Sequence, residues 1–249
     1  MGNIEYIALS RQTALFRQMD VVANNIANAA TPGYKSESMM FSEYLSGLGK
    51  QKTASFTSDV RTLRNMTQGP LRTTNRSFDM AIEGKGFFEI DTPLGARYTR
   101  VGMFQRNAQG ELVTAQGYRV QGESGPIALD EDDLDIFIRE DGTVMASRAG
   151  GADEERGKIK VVKFENENML REISNSLYDA GGEAPASAEE QTDFRMAQGM
   201  VEDSNVNPTR ELTELIKVSR SFGMTSNFLG DINALQEKAI ATLAKQPGG

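Results

Sequence analysis

The residue types that dominate enzyme active sites are missing from this sequence. Its 249 residues include no Cys and no His. The chain therefore has no thiolate nucleophile, no imidazole base, no disulfide and no zinc site of the usual Cys/His type. These absences exclude most familiar catalytic arrangements. We therefore expect that the protein is not an enzyme and needs neither a cofactor nor a metal.

Two segments have residue types found in ligand sites. The acidic run 130–135 contains carboxylates, but it lacks the glycine and the distal bidentate Glu of an EF-hand loop. Gly84-Lys85-Gly86 lacks the Ser or Thr and the helix that follow the lysine of a phosphate-binding loop, since Phe87-Phe88 begins a strand. We predict a solvated turn for the acidic run and a plain turn at the glycines. Nothing fixes two carboxylates at the separation that glycoside cleavage needs, so no catalytic residue is predicted.

An asparagine cluster is the most informative polar feature of the N-terminal segment. Asn24, Asn25 and Asn28 fall close together, although Asn is a mediocre helix former. One interpretation is a fraying helix end with solvated amides. The interpretation that we favour is that the amides hydrogen-bond to neighbouring helices and fix their register, as a buried polar residue does in a coiled coil.

An amphipathic helix is predicted to carry this cluster. Apolar residues recur at spacings of three, four or seven, which places them on one helix face. They are Ile4, Ala8, Leu15, Met19, Val22 and Ile26, in a stripe widened by Ile7, Ala14 and Val21. Because Pro32 disfavours helical geometry at Thr31, the helix should end near Ala30, and Pro32-Gly33 suits the centre of a type II turn.

A second long helix is predicted at the C-terminal end. Asn207 can cap it, with Pro208 at the first helical position, where no amide donor is needed. Residues at a and d heptad positions then form a coiled-coil-like seam with polar interruptions. They are Leu215, Val218, Phe222, Thr225, Leu229, Ile232, Gln236, Ala239 and Leu243. Gly223 and Gly230 each weaken an isolated helix by about 1 kcal/mol relative to Ala, so the seam should depend on packing partners. Packing against the N-terminal helix of the same chain and packing against another subunit both stay open.

The centre of the chain has the pattern of an antiparallel β domain. Short apolar runs alternate with turn signals over residues 86–164, with a tight hairpin at Asp141-Gly142. The predicted strands are 86–90, 97–101, 111–114, 118–120, 134–138, 143–145 and 159–164. The predicted fold is α+β. It consists of paired terminal helices (1–30 and 207–249), extended connectors rich in Ser, Thr, Gly and charge (31–75 and 181–206), and a β-rich domain (76–180).

Charge and hydropathy limit the partners. The formal net charge is -8 and the basic residues are scattered, which argues against a nucleic-acid-binding protein. No apolar run approaches the roughly 18 residues that cross a bilayer, and the first residues lack the basic and apolar segments of a signal peptide. We expect no membrane insertion. Localisation stays open at this point, because some export routes need no cleaved signal peptide.

Four blocks of the sequence resemble the signatures of flagellar rod and hook proteins. Residues 19–35, MDVVANNIANAATPGYK, are similar to the family's N-terminal signature. Residues 79–88 (DMAIEGKGFF), followed by 98–104 and 110–114, resemble its central region, and VEDSNVN at 201–207 resembles its C-terminal signature. The blocks follow the family's order over nearly the whole chain, and on this resemblance the chain is identified as a member of that family.

The resemblance implies a structural subunit of the bacterial flagellar basal body. Its terminal helices would pair to form the inner tube of a hollow rod that spans the periplasm, transmits torque and leaves an export channel, with the β domain outside. Implied partners are copies of itself, other rod subunits and the flagellar type III export apparatus, to which Phe41 and Leu45 would present an export-gate motif. The implied assembly interface comprises Leu15, Met19, Val22, Asn25, Ile26, Asn28, Leu215, Val218, Phe222, Leu229 and Ile232.

Length and spacing favour one type within the family. The compact stretch before Gln68-Gly69 and the hairpin at Asp141-Gly142 resemble the proximal rod type more than the distal type. A distal rod or other axial protein remains an alternative. So does a secreted β-rich binding module, whose helices would close into a monomeric bundle.

Overall fold

The computed structural model describes residues 2–47, 53–148, 152–174, 176–182, 185–187 and 193–243. The described residues fall into two compact units. The helical unit lies within Met1–Ala27, Glu37–Asn65 and Asn207–Gly249, and the β unit lies within Asn28–Ser36 and Met66–Val206.

The helical unit contains two long helices and a hairpin. Its elements are α1 (Gly2–Ala27), β1 (Glu37–Gly47), β2 (Thr53–Arg64) and α2 (Pro208–Leu243). The helices pack against each other and run antiparallel, since Asn25 bonds to Glu211 while the earlier Gln18 bonds to the later Glu214. Strands β1 and β2 pair antiparallel and both contact α1. The hairpin is not predicted from the sequence, which indicates only an extended connector here.

Both helix boundaries beside the signatures have local causes. Helix α1 ends at Ala27, three residues before the predicted end, and the chain then turns. The amide of Tyr34 donates to the carbonyl of Thr31 at 3.3 Å and Gly33 has φ +70°, which confirms the type II turn at Pro32-Gly33. The predicted cap of α2 is also confirmed, because the side-chain oxygen of Asn207 accepts the Arg210 amide at 3.1 Å.

Antiparallel strands build the β unit. They are β3 (Leu71–Thr73), β4 (Met80–Gly84), β5 (Phe87–Thr92), β6 (Gly95–Thr99), β7 (Phe104–Arg106), β8 (Leu112–Thr114), β9 (Arg119–Gly122), β10 (Gly125–Pro126), β11 (Asp135–Ile138), β12 (Thr143–Ser147), β13 (Glu154–Lys158), β14 (Val161–Lys163), β15 (Arg171–Ser174), β16 (Leu177–Asp179), β17 (Ala186–Ser187), β18 (Phe194–Gln198) and β19 (Met200–Glu202). A 3₁₀ turn, Glu167–Met169, precedes β15.

One large sheet organises these strands. Its main path is β15-β16-β6-β5-β9-β8-β7, with β10 beside β9 and with β14 between β5 and β17. Strands β11, β12 and β13 form a second sheet, while β18 pairs with β4 and β19 pairs with β3. The antiparallel β domain predicted between the helices is confirmed, and so is the hairpin at Asp141-Gly142, where β11 turns into β12 and Gly142 has φ +86°.

The core of the β unit lies on both faces of β5. Phe88 packs edge to face with Phe104, whereas the adjacent Phe87 packs with Phe164 and Tyr178. Successive strand residues point to opposite faces, so the Phe87-Phe88 pair supplies two separate apolar clusters. This explains why an unbroken aromatic pair follows the glycine turn at residues 84–86.

Candidate assembly surfaces

The heptad positions of α2 form the face of that helix that is covered within the chain. Val218 and Thr225 are buried, and the other seam residues with described side chains are half-buried. These are Leu215, Phe222, Leu229, Ile232 and Gln236. The side chains of Ala239 and Leu243 lie outside the described part of the structure. The seam therefore packs against its own chain, and its role between subunits stays a prediction.

The predicted interface residues of α1 also lie on a covered face. Val22 is buried, and Leu15, Met19 and Ile26 are half-buried. Because α1 contacts α2, β1 and β2 within the helical unit, these side chains contribute to the interior of that unit. Their part in subunit contacts likewise stays a prediction.

Asn25 is the polar centre of the helical unit, with 1% of its surface exposed. Its amide nitrogen donates to the carbonyl of Glu37 at 2.8 Å and to the carboxylate of Glu211 at 3.1 Å, and its oxygen accepts the amide of Glu37 at 2.9 Å. Asn25 thus ties α1 to the start of β1 and to α2 of the same chain. The other two asparagines of the cluster have different environments. Asn24 is exposed, and the side-chain oxygen of Asn28 accepts the Thr31 hydroxyl at 3.2 Å.

A groove of about 390 Å³ lies between α1 and α2. Its rim includes Met224 and Phe228, which are 66% and 50% exposed, while Thr225 and Ala8 are buried. The lining residues are Ile7, Ala8, Arg11, Ser221, Met224, Thr225 and Phe228. The groove is predominantly apolar, with the guanidinium of Arg11 supplying a positive charge.

Further large apolar side chains are exposed on both helices. They are Tyr6, Leu9 and Phe16 on α1, and Leu212, Ile216, Met224, Phe228 and Leu235 on α2. Leu9 lies about half a helical turn from Ile7, so the exposed apolar face of α1 is on the far side of that helix from the groove. The sequence analysis missed these residues because they lie outside the apolar stripe assigned to α1 and outside the a and d positions assigned to α2. The signal that could have found them is the number of large apolar side chains left over once the seam is assigned.

The two residues of the predicted export-gate motif fall in β1. In the backbone register, Phe41 is opposite Val60 and Leu45 is opposite Ser55. Their side chains lie outside the described part of the structure. Their role in export stays a prediction.

The acidic run 130–135 corrects one prediction. Asp133 is buried, and its carboxylate accepts two hydrogen bonds from the guanidinium of Arg156, at 2.5 and 2.8 Å, and a third from the Asp130 amide at 2.9 Å. A bidentate arginine partner stabilises a carboxylate that would otherwise be costly to bury. The prediction of a solvated turn is therefore wrong for Asp133, because Arg156 comes from the distant strand β13.

The electrostatics of Asp133 follow from the same contacts. Burial alone would raise the pKa of this carboxyl group, but the hydrogen bonds from Arg156 and the Asp130 amide, together with the charges of Arg156 and Arg148, lower it below its ordinary value. Within the described residues, no group of three or more acidic side chains is placed to hold a metal ion.

Gly84 and Gly86, with φ of +105° and +130°, form the predicted turn between β4 and β5.

Comparison with known families places flagellar signatures along most of the chain. The profile described as Flagella basal body rod protein matches residues 6–35. Flagellar hook protein FlgE/F/G D1 domain matches residues 81–146, and Flagellar basal body rod FlgEFG protein C-terminal matches residues 197–242. The first and last profiles cover most of α1 and α2, and the middle one covers β5 to β11 and most of β12.

Full-length relatives agree with these profiles. The chain is 37% identical to flagellar basal-body rod protein FlgF of Mesorhizobium japonicum, over 97% of this chain and 98% of that one. It is 35% identical to FlgF of Caulobacter vibrioides, over 98% and 99%. Flagellar basal-body rod protein FlgG of Bacillus subtilis is 32% identical over 94% and 97%. In the described part of the chain, no helix combines the length and apolarity needed to span a bilayer. The chain therefore belongs to the family of flagellar basal-body rod proteins, is most like FlgF, and is a structural subunit of the rod rather than an enzyme.

Proposed function

We propose that this rod subunit assembles through its helical unit, with α1 and α2 of neighbouring subunits packed side by side as the inner wall of a hollow rod. The observation that supports this is the presence of two apolar faces on the helices. One face, the heptad seam and its α1 counterpart, is already covered within the chain. The other carries large apolar side chains that are still exposed. Exposed apolar patches on soluble proteins mark interaction sites.

The remaining exposed surface is large enough to contribute to assembly. An aromatic side chain buries about 200 Å² when fully covered. Phe228 is 50% exposed, so a neighbour could cover roughly 100 Å² more of it. At about 25 cal/mol per Å², that surface contributes about 2.5 kcal/mol to association before entropic costs. Several such side chains along both helices make the helical unit a favourable place for subunit contacts.

The placement of the two apolar surfaces favours an open assembly. The groove and the exposed face of α1 that includes Leu9 are different patches, on opposite sides of one helix. An interface between two different patches is heterologous, and repeating it produces a ring or a helical filament rather than a closed pair. A rod is such an assembly, and pairing of α1 with α2 as a coiled-coil-like element would give its wall continuous helical ridges.

Membership of the family and the similarity to FlgF support the finer assignments that we propose. The subunit occupies the proximal rod, transmits torque, and leaves an axial channel for exported proteins, with the β unit on the outside. Its neighbours are copies of itself and other rod subunits. The flagellar type III export apparatus delivers it across the inner membrane, with Phe41 and Leu45 as the gate motif, so that it functions in the periplasmic span of the basal body.

Substitution at the groove tests the proposal without removing a buried residue. Phe228→Ser should leave the β unit folded and the chain exported, but should reduce its incorporation into basal bodies at least about tenfold, as expected from the loss of roughly 2.5 kcal/mol of contact. Glu237→Ala, at an exposed position on the same helix, is the matched control and should incorporate normally. Equal incorporation of the two exported variants would contradict assembly through this surface.

A further inference from the structure

A buried charge cluster lies at the point where three segments of the β unit meet. Lys35 and Glu202 are each 1% exposed, and Arg100 is 4% exposed. The ammonium of Lys35 lies 2.5 Å from one carboxylate oxygen of Glu202, and the guanidinium of Arg100 lies 3.5 Å from the other. One carboxylate thus serves two buried cations.

Glu202 also holds the backbone around it. Its side chain accepts the amide of Gly69 at 2.9 Å, and its carbonyl accepts the amide of Gly33 at 2.7 Å. Lys35 in turn donates to the carbonyl of Thr67 at 2.9 Å. The Glu202 residue therefore contacts the segment that follows α1, the segment around residue 69 and, through its own chain, the segment that precedes α2.

Neighbouring contacts repeat this connection. The side-chain oxygen of Asn205 accepts the amide of Ser36 at 2.7 Å, and its nitrogen donates to the carbonyl of Thr67 at 2.9 Å. The approach near Gly69 is so close that an added Cβ would lie 2.1 Å from the carbonyl oxygen of Asp203. Burial lowers the pKa of Lys35 despite the opposing effect of Glu202, as expected for a cation held away from water.

Arg100 has further partners that fix its orientation. It donates to the carbonyl of Gly84 at 2.9 Å, and its guanidinium carbon lies 5.1 Å from the centre of the Phe87 ring. These contacts connect the cluster to the turn before β5. A buried charge that loses its partner is strongly destabilising, whereas one whose partner charge is also removed is much less so.

We propose that Glu202 is a positioning residue for assembly, whose buried carboxylate fastens the segment following α1 to the segment preceding α2 through Lys35 and Arg100. Parts of the two signatures, residues 33–35 of the first and 202–205 of the second, meet around this carboxylate. The carboxylate holds these two segments, which lead to α1 and α2, together inside the β unit. The importance of this for rod formation rests on the proposed assembly through the helical unit, but the local connection does not.

The test uses hydrogen exchange on the full-length monomer, which needs no rod. In Glu202→Gln, the amides of Gly33, Ser36, Gly69 and Asn205 should exchange at least about tenfold faster, because the charged acceptor that ties their segments is gone. The control is Ile90→Ala, a cavity variant in the β-unit core. Each variant should be measured at the temperature at which its free energy of unfolding equals that of the other. The control should not accelerate these four amides selectively. Equal acceleration in both variants would overturn a positioning role.

A second variant keeps the test informative if Glu202→Gln folds poorly. Adding Lys35→Met removes one of the cations left without its carboxylate, so the double variant should melt at a higher temperature than Glu202→Gln alone. A double variant that is no more stable than Glu202→Gln would show that the charges are not coupled and would overturn the proposal. In basal bodies, Glu202→Gln should incorporate less well than Ile90→Ala of matched stability. Selective exchange in the monomer with normal incorporation would retain the local fastening and refute its role in assembly.

Discussion

Replacing Asn25 tests whether one side chain organises the helical unit. Asn25→Ala removes two hydrogen bonds to the backbone of Glu37 and one to the carboxylate of Glu211. A buried polar group left without its partner costs about 1–3 kcal/mol, but Glu37 and Glu211 are half-buried, so water can replace part of each bond. The higher helix propensity of Ala returns less than about 0.7 kcal/mol. The expected net loss is about 2–4 kcal/mol in the free energy of unfolding of the helical unit.

Urea unfolding of the monomer, followed by the helical signal in far-ultraviolet circular dichroism, measures this loss. The matched control is Asn227→Ala, which makes the same chemical change at an exposed position of α2 and should change the free energy of unfolding by no more than about 0.5 kcal/mol. If Asn25→Ala unfolds at the same urea concentration and with the same slope as Asn227→Ala, the three hydrogen bonds do not hold α1 against β1 and α2, and the reasoning is refuted.

Three further predictions concern the β unit, the helices and the seam. Because the pKa of Asp133 is lowered in the folded state, the contribution of this carboxylate to stability should be constant above the ordinary carboxyl pKa of about 3.9 and be lost as the pH falls below it. The melting temperatures of wild type and Asp133→Asn should therefore converge in acid, whereas the exposed control Glu131→Gln should follow wild type at every pH. Amide hydrogen exchange in the monomer should be faster over residues 4–29 and 208–243 than in the central strands, because long helices with interrupted seams gain order from neighbours; strong protection along both helices would argue against this. Phe222→Ala removes a half-buried ring and should cost roughly half of the 3–5 kcal/mol that a fully buried ring costs. The variant should be soluble and exported with a folded β unit, but should enter basal bodies poorly, unlike Glu237→Ala. Normal entry would show that the seam is not needed for assembly.

The elements that the sequence predicts well are those with local causes. Pro32-Gly33 specifies its turn through proline's fixed φ and the freedom of glycine, and Asn207-Pro208 specifies the start of α2 through a cap and a position that needs no amide. The central strands were predictable because apolar runs alternate with turn residues there. The β1–β2 hairpin was not, because its strands are rich in Ser and Thr and lack the apolar alternation that marks a half-buried sheet.

The features that the sequence conceals depend on partners far along the chain. Asp133 pairs with Arg156 of β13, 23 residues further along the chain, and Lys35 pairs with Glu202 across 167 residues. No local pattern identifies such pairs, so the sequence indicates a solvated turn at Asp133 and gives no sign of a buried pair at Lys35 and Glu202. The candidate site was predicted in part: the heptad pattern found the covered face of α2, but it could not distinguish packing within the chain from packing between subunits.

Thiol labelling in assembled rods tests the central claim most directly, because the natural chain has no Cys to interfere. Met224→Cys places a thiol at a groove position that is 66% exposed in the single chain. A maleimide should label it readily in the purified monomer and at least about tenfold more slowly in purified basal bodies, with full labelling restored after denaturation. A free-energy difference of about 1.4 kcal/mol between the covered and the open state of this position already gives that factor. Labelling at the same rate in monomer and basal body would contradict burial of this helical surface between subunits.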